Sequence, residues 1–216
     1  VGEEYWFPIE MLLANHDKSP LYIFFDDNQN VYTRARSFPI YDTPYVLSHN
    51  CRNTDPIHHA AYNFYKGEPV SPSGIIGEDI QFIPAASRSA QATRIHAKIV
   101  ALITKEKVAP KDIAVLVVDS AEKKQYYEEL VKRPLPQSAG WSVEDLQSGG
   151  AISLDTVKRF KGLESNIVFL WGLNTLNLDR ERELLYVAFS RACSTIFVSA
   201  TPELCNRLDS GLRRNA

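Results

Sequence analysis

Two hydrophobic patterns alternate along the chain. Continuous apolar runs stand at residues 21–25 (Leu-Tyr-Ile-Phe-Phe), 113–118 and 167–170. Runs of that length without a polar break predict strands buried on both faces. Residues 45–47, 80–83, 152–156 and 195–200 predict further strands. Between them the spacing turns helical. Residues 1–19 carry Trp6, Phe7, Ile9, Met11, Leu12 and Leu13, with Pro8 in an early turn. A helix capped by Thr54 or Asp55, with Pro56 at its start, carries Ile57, Ala60, Ala61, Phe64 and Tyr65. Residues 89–105 put Ile95, Ile99, Val100, Leu102 and Ile103 on one side. Residues 121–131, with Ser120 as cap, and 180–193 complete the helices. The Gly- and Pro-rich segment 66–79 and the Pro-, Ser- and Gly-rich segment 133–150 read as loops. Strands alternating with helices in this way imply an α/β fold, its mostly parallel sheet covered on both faces.

Composition narrows the class. The 216 residues are 44% hydrophobic and 23% charged, ordinary values for a globular protein. A net charge of −2 argues against a wholly basic nucleic-acid binder and leaves a local basic groove open. Cys51, Cys193 and Cys205 are widely spaced, with no CxxC and no Cys/His cluster. That fits a reducing, cytoplasmic setting without structural zinc. No apolar run approaches the roughly 20 residues of a membrane span, and no signal peptide is visible. The sequence starts on Val1 rather than Met, so it is expected to be a piece of a longer protein.

Four stretches could carry chemistry. Residues 156–164 (Thr-Val-Lys-Arg-Phe-Lys-Gly-Leu-Glu) link two strands through three cations, a Gly and a carboxylate. Ligand chemistry in α/β proteins gathers at such junctions, although a solvated basic turn has the same composition. Phe25-Asp26-Asp27-Asn28-Gln29 ends a strand with carboxylates. It reads as a Mg²⁺-binding strand end, as a receiver-like phosphoacceptor at Asp26 or Asp27, or as a plain Asx turn. No Lys-Pro dipeptide is present to complete a receiver. Arg52, in Asn-Cys-Arg-Asn-Thr (50–54), could clamp a phosphate or pair with a surface carboxylate. Arg191 lies near the end of the 180–193 helix, where a cation also suits the helix dipole. No Gly-x-x-x-x-Gly-Lys loop occurs.

The order of these stretches carries more than any one of them. Residues 25–32 (Phe-Asp-Asp-Asn-Gln-Asn-Val-Tyr) resemble motif III of the UvrD/Rep-like superfamily 1 DNA helicases. Residues 47–54 resemble motif IV, 156–164 motif V, and 186–192 (Tyr-Val-Ala-Phe-Ser-Arg-Ala) motif VI. The resemblance implies a RecA-like, P-loop NTPase-like three-layer α/β/α fold. Residues 1–40 would be the tail of a first RecA-like domain and 41–216 the second.

It also implies roles. Gln29 would sense the γ-phosphate of ATP, and Arg52 and Arg191 would act as arginine fingers. Glu164, with Gly162, would lie at the nucleotide. Tyr32, Arg34, Thr156, Lys158, Arg159 and Lys161 would contact DNA, single-stranded in this reading. ATP and Mg²⁺ would be the cofactors in the full-length protein, a DNA-repair-type helicase. The chain's own N-terminal RecA-like domain would supply Walker A and B, so the isolated chain is expected not to hydrolyse ATP. Some positions depart from the family. Phe25 replaces a Gly, Cys51 an adenine-stacking Tyr, Lys158 a His, and Arg34 a base-stacking aromatic. The large DNA-binding insertion between motifs IV and V is expected to be absent. These departures leave open the alternative of a non-catalytic RecA-like module that binds nucleic acid or a partner.

Overall fold

A computed structural model describes residues 5–15, 18–26, 28, 43–136, 139–145 and 150–214. Among them the strands are β1 (Gln81–Phe82), β2 (Ile113–Val117), β3 (Trp141–Val143), β4 (Ile152–Thr156), β5 (Ser165–Trp171) and β6 (Ala192–Ser199). They form one sheet in the order β1-β6-β5-β2-β4-β3, parallel throughout. The helices are α1 (Trp6–Glu10), α2 (Asp55–Tyr62), α3 (Arg88–Thr104), α4 (Lys123–Val131), α5 (Arg182–Phe189) and α6 (Pro202–Arg214).

The unbroken apolar run of β2 is fully buried, as a central strand requires. Alternation divides its side chains between two cores. Ala114 and Leu116 pack with Ile57 and Ala60 of α2, Leu185 and Val187 of α5, and Leu204 of α6. Ile113, Val115 and Val117 pack with Ile95 and Ile99 of α3 and Leu130 of α4. The result is the expected three-layer α/β/α arrangement of RecA-like type. Pro56 sits in the first turn of α2. Ser87 caps α3, its hydroxyl accepting from the Ala90 N–H at 3.3 Å.

The connection from β4 to β5 sets up the site. Both strands flank β2, so residues 157–164 must cross its face. Val117 is level with Thr156 on one side and Trp171 on the other. Thr156 therefore lies at the carboxyl ends of the strands, while Glu164 precedes Ser165 at the opposite ends, about 20 Å away along β5. Parallel crossovers usually need a dozen or more residues. This one manages with a single helical turn, in which the Phe160 N–H donates to the Thr156 carbonyl at 3.0 Å. Gly162 then reverses the chain at φ +89°, a conformation side-chain-bearing residues avoid. Val157 and Phe160 pin the crossover into the core beneath α2 and α5.

Several elements depart from expectation. The helix expected over 1–19 is only α1, followed by turns. Trp6 is its one buried residue, and five residues are too few to sustain a helix without packing. Residues 21–25 and 45–47 form no strand. Tyr22 and Phe24 are 79% and 84% exposed, because none of the six strands offers them a ladder partner. Among the described residues of that region the only bridge is His49 with Ser71. Ser120 does not cap α4. The Asp119 carboxylate accepts from the N–H groups of Ala121 (3.0 Å) and Glu122 (3.3 Å), and the helix starts at Lys123. The loop expected at 133–150 contains β3, and α6 adds a helix beyond those expected. The domain boundary at residue 40 lies outside the described residues.

Candidate functional site

At the β5 end of the crossover, three residues far apart in sequence converge. Arg191 follows α5 and is 1% exposed. Its Nε donates to the Val187 carbonyl (3.1 Å), Nη1 to the Leu163 carbonyl (3.0 Å) and Nη2 to the Ser190 hydroxyl (3.0 Å). Burial, then the positive Arg52 nearby, push its pKa below the ordinary value, while Tyr186, Glu164 and Asp26 oppose the shift. A guanidinium stays charged through such a shift. Arg52 Nε meets the Glu164 carboxylate at 2.8 Å, with both side chains about half exposed at 45% and 53%.

A polar network holds Arg52 in place. The Asn50 side-chain oxygen accepts from the N–H groups of Arg52 (2.9 Å) and Asn53 (3.3 Å). That fixes the other end of the amide as donor, to Asn53 Oδ1 and His58 Nδ1, both at 2.9 Å. With Nδ1 accepting from Asn50, the His58 ring carries its proton on Nε2 and is neutral in this arrangement. Burial, then neighbouring His59, hold its pKa below 6.5. Asn53 donates to the carbonyls of Ser190 (3.3 Å) and Ala192 (2.6 Å), and the Thr54 N–H to that of Cys193 (3.1 Å). The Arg52 turn is thus stitched to the residues that flank Arg191.

The acidic segment docks on the same helix. Tyr186 donates to the Asp26 carboxylate at 3.1 Å and is hydrogen-bonded to Tyr62. Burial raises the Tyr62 pKa to about 12, and burial with Asp26 raises that of Tyr186 further. Asn28 pairs with the Lys66 peptide, donating to its carbonyl (2.8 Å) and accepting from its N–H (2.6 Å).

The β4 end is built differently. Asp155 is 1% exposed. Its Oδ1 accepts from the Thr156 N–H (2.7 Å) and from Arg159 Nε (3.1 Å). Arg159 Nη2 also donates to the Glu144 carbonyl at 2.8 Å. The Glu144 carboxylate takes Lys123 Nζ at 2.5 Å and the Tyr127 hydroxyl at 3.3 Å. Burial pushes the Asp155 pKa up, and the Lys123 bond pulls that of Glu144 down. Burial also raises the Tyr127 pKa, with the charges of Asp155 and Glu144 adding to it.

Of the sequence-derived site residues, Arg52, Glu164 and Arg191 come together at one end of the crossover. Buried Thr156, half-buried Lys158 and exposed Arg159 lie at the other, and Lys161 and Gly162 are exposed on the way down. Gln29, Tyr32 and Arg34 lie outside the described residues. Cys51 is exposed beside Arg52. Sequence reasoning passes over Asp155, Asn53 and His58. An Asp inside an apolar strand, four residues before an Arg, is the available signal for Asp155. Among the described residues no group of three or more His, Cys, Asp or Glu could hold a metal ion, and no helix is long and apolar enough to cross a membrane.

Residues 151–198, spanning β4, the crossover, β5, α5 and most of β6, match the model of the UvrD-like helicase C-terminal domain. No curated protein matches the chain. Among solved structures, the C-terminal domain of a possible DNA helicase from Lactobacillus plantarum WCFS1 superposes with a TM-score of 0.53 at 20% identity. The match covers 74% of this chain and 95% of that one, and it establishes the shared fold. The segment that is similar to the UvrD-like helicase C-terminal domain is the one that brings Glu164 and Arg191 together.

Proposed function

We propose that the chain is the C-terminal RecA-like part of an ATP-dependent DNA helicase, contributing half of an ATP cleft that a first RecA-like domain completes. The observation that supports this most is the crossover itself. At one end Glu164 pairs with Arg52 and the neighbouring Leu163 carbonyl is held by Arg191, and the other end carries cations, so one short strap spans both sites.

The donor set suits a phosphate. Arg52 is half exposed and presents a fixed fork of N–H donors. In this reading it exchanges Glu164 for nucleotide phosphate, and Glu164 turns toward the ribose. Arg191 acts from below, holding the Leu163 carbonyl next to Glu164. The Asp26–Tyr186 bond holds the segment that precedes Gln29 in sequence against α5, which leads to Arg191. Mg²⁺ would accompany ATP and be held outside the described residues. Thr156, Lys158 and Lys161, with Tyr32 and Arg34, would face a single DNA strand through sequence-independent contacts.

Steady-state ATP hydrolysis in a helicase containing both RecA-like domains tests the reading. Arg52→Ala should lower kcat on the order of 10³-fold, as loss of an arginine finger does. Arg191→Lys, which keeps the buried charge, should also lower it. Unchanged turnover in both would leave the chain as a non-catalytic module.

A further inference from the structure

We infer that Arg159 is a positioning residue for the crossover rather than a contact to nucleic acid, and that Asp155 is its anchor. The inference rests on the proposal that the crossover faces a single strand, and it decides which cations do so. Arg159 spends its fork inward. Nε bonds the Asp155 carboxylate at 3.1 and 3.4 Å, and Nη2 bonds the Glu144 carbonyl at 2.8 Å. It thereby straps the first turn of the crossover to the ends of β4 and β3.

Glu144 is arranged to receive it. Its backbone adopts φ +52°, which an L side chain rarely does, while its carboxylate is engaged by Lys123 and Tyr127 of α4. Asp155 is buried, so taking Arg159 away leaves a carboxylate without a counter-charge inside the protein. That is far more unfavourable than one solvent-screened phosphate interaction is favourable. Arg159 therefore stays, and Lys158 on its N-terminal side and Lys161 beyond it are the cations the strap orients.

Binding of a fluorescent oligo(dT) strand across a salt series tests this, using the full chain and its variants below their melting temperatures. Lys158→Ala or Lys161→Ala should weaken binding and flatten the plot of log affinity against log salt by about 0.7 for each phosphate no longer neutralised. The decisive variant is Asp155→Asn. It removes a negative charge beside the cations and leaves every cation in place. A direct Arg159–phosphate interaction would make it bind as tightly or more tightly. Positioning requires it to bind more weakly with a flatter slope, like Arg159→Ala, and the double variant to be no worse than Arg159→Ala alone. A change in fold stability alone would not move the slope. If Asp155→Asn fails to fold, Arg159→Lys replaces it. Keeping the charge but losing the fork, it should still weaken binding. Tighter or unchanged binding by either variant overturns the inference. If neither lysine substitution affects affinity or slope, the nucleic-acid reading of the crossover falls first, and this inference with it.

Discussion

At the β4 end of the crossover the buried group is a carboxylate, Asp155, and the arginine that meets it is 47% exposed. At the β5 end the buried group is an arginine, Arg191, and the ion pair above it, Arg52 with Glu164, stands in solvent. Burial decides what each charge is free to do. A buried charge must keep its partners, because losing one leaves it unsolvated. An exposed pair is held weakly and can be exchanged for a ligand. The crossover is thus fastened at the strand end by Asp155 and from beneath by Arg191, while the pair of Arg52 with Glu164 is exchangeable. Arg52 and Arg191 are the same residue type in neighbouring positions of the fold, and only their surroundings tell them apart.

The largest effect should come from Arg191→Ala. It removes the guanidinium that ties the Val187 carbonyl to the Leu163 carbonyl, leaving only the Ser190 hydroxyl on Val187, and empties the space of a fully buried side chain. A loss of about 2–5 kcal/mol of folding stability is expected, from the lost charge-assisted hydrogen bonds and the cavity left by a large buried side chain. Urea denaturation would measure it. A loss below about 1 kcal/mol would remove the distinction between a fastened arginine beneath and an exchangeable one above.

Those surroundings are what the sequence leaves unwritten. Runs such as 113–118 announce strands because a central parallel strand needs apolar residues on both faces, and β2 has them. The run 21–25 has the same pattern and forms no strand. An apolar run reports a need for burial but not the identity of the partner. The three residues of β3 are too few to show alternation, and the Gly and Ser around them read as loop. Helix α6 is legible in the spacing of Leu204, Cys205, Leu208 and Leu212 after Pro202, yet it carries no motif to draw notice. In the site, motif order picks out Arg52, Glu164 and Arg191, and all three converge. It also places Arg159 among the DNA contacts, because spacing cannot show which way a side chain turns. Asp155, which turns it inward, belongs to no motif.

A smaller effect probes the support beneath Arg52. His58 accepts a bond from Asn50 through Nδ1, so protonating that nitrogen removes the acceptor. The groups around it are Asn50, the Val70 carbonyl, His59, Asp55 and the stacked Tyr62 ring. Its folded pKa lies below 6.5, so between the two values the unfolded chain binds the extra proton. Stability should be full above pH 6.5 and fall as the pH drops toward the folded value, then level off. The slope should reach at most about 1.4 kcal/mol per pH unit. The difference in urea stability between wild type and His58→Gln, followed from pH 7.5 to 5, isolates the effect. A difference that does not vary with pH would mean the Arg52 turn does not depend on a neutral histidine.

The smallest structural effect should fall at the exchangeable pair. A double-mutant cycle with Arg52→Ala and Glu164→Gln should give a coupling of about 0.2–1 kcal/mol in folding stability, as for other solvent-exposed pairs. The coupling should shrink further in high salt, where exposed charges are screened. An exchangeable pair has to be this weak. If Glu164 is to yield Arg52 to a phosphate, their bond cannot be a main support of the fold. The same Arg52→Ala that barely alters the urea midpoint should lower ATP turnover on the order of 10³-fold. A coupling near 3 kcal/mol, about what breaking a buried pair costs, would make Arg52–Glu164 a fastening like the one at Asp155. The crossover would then have two fastened ends and no exchangeable pair for a nucleotide phosphate to open.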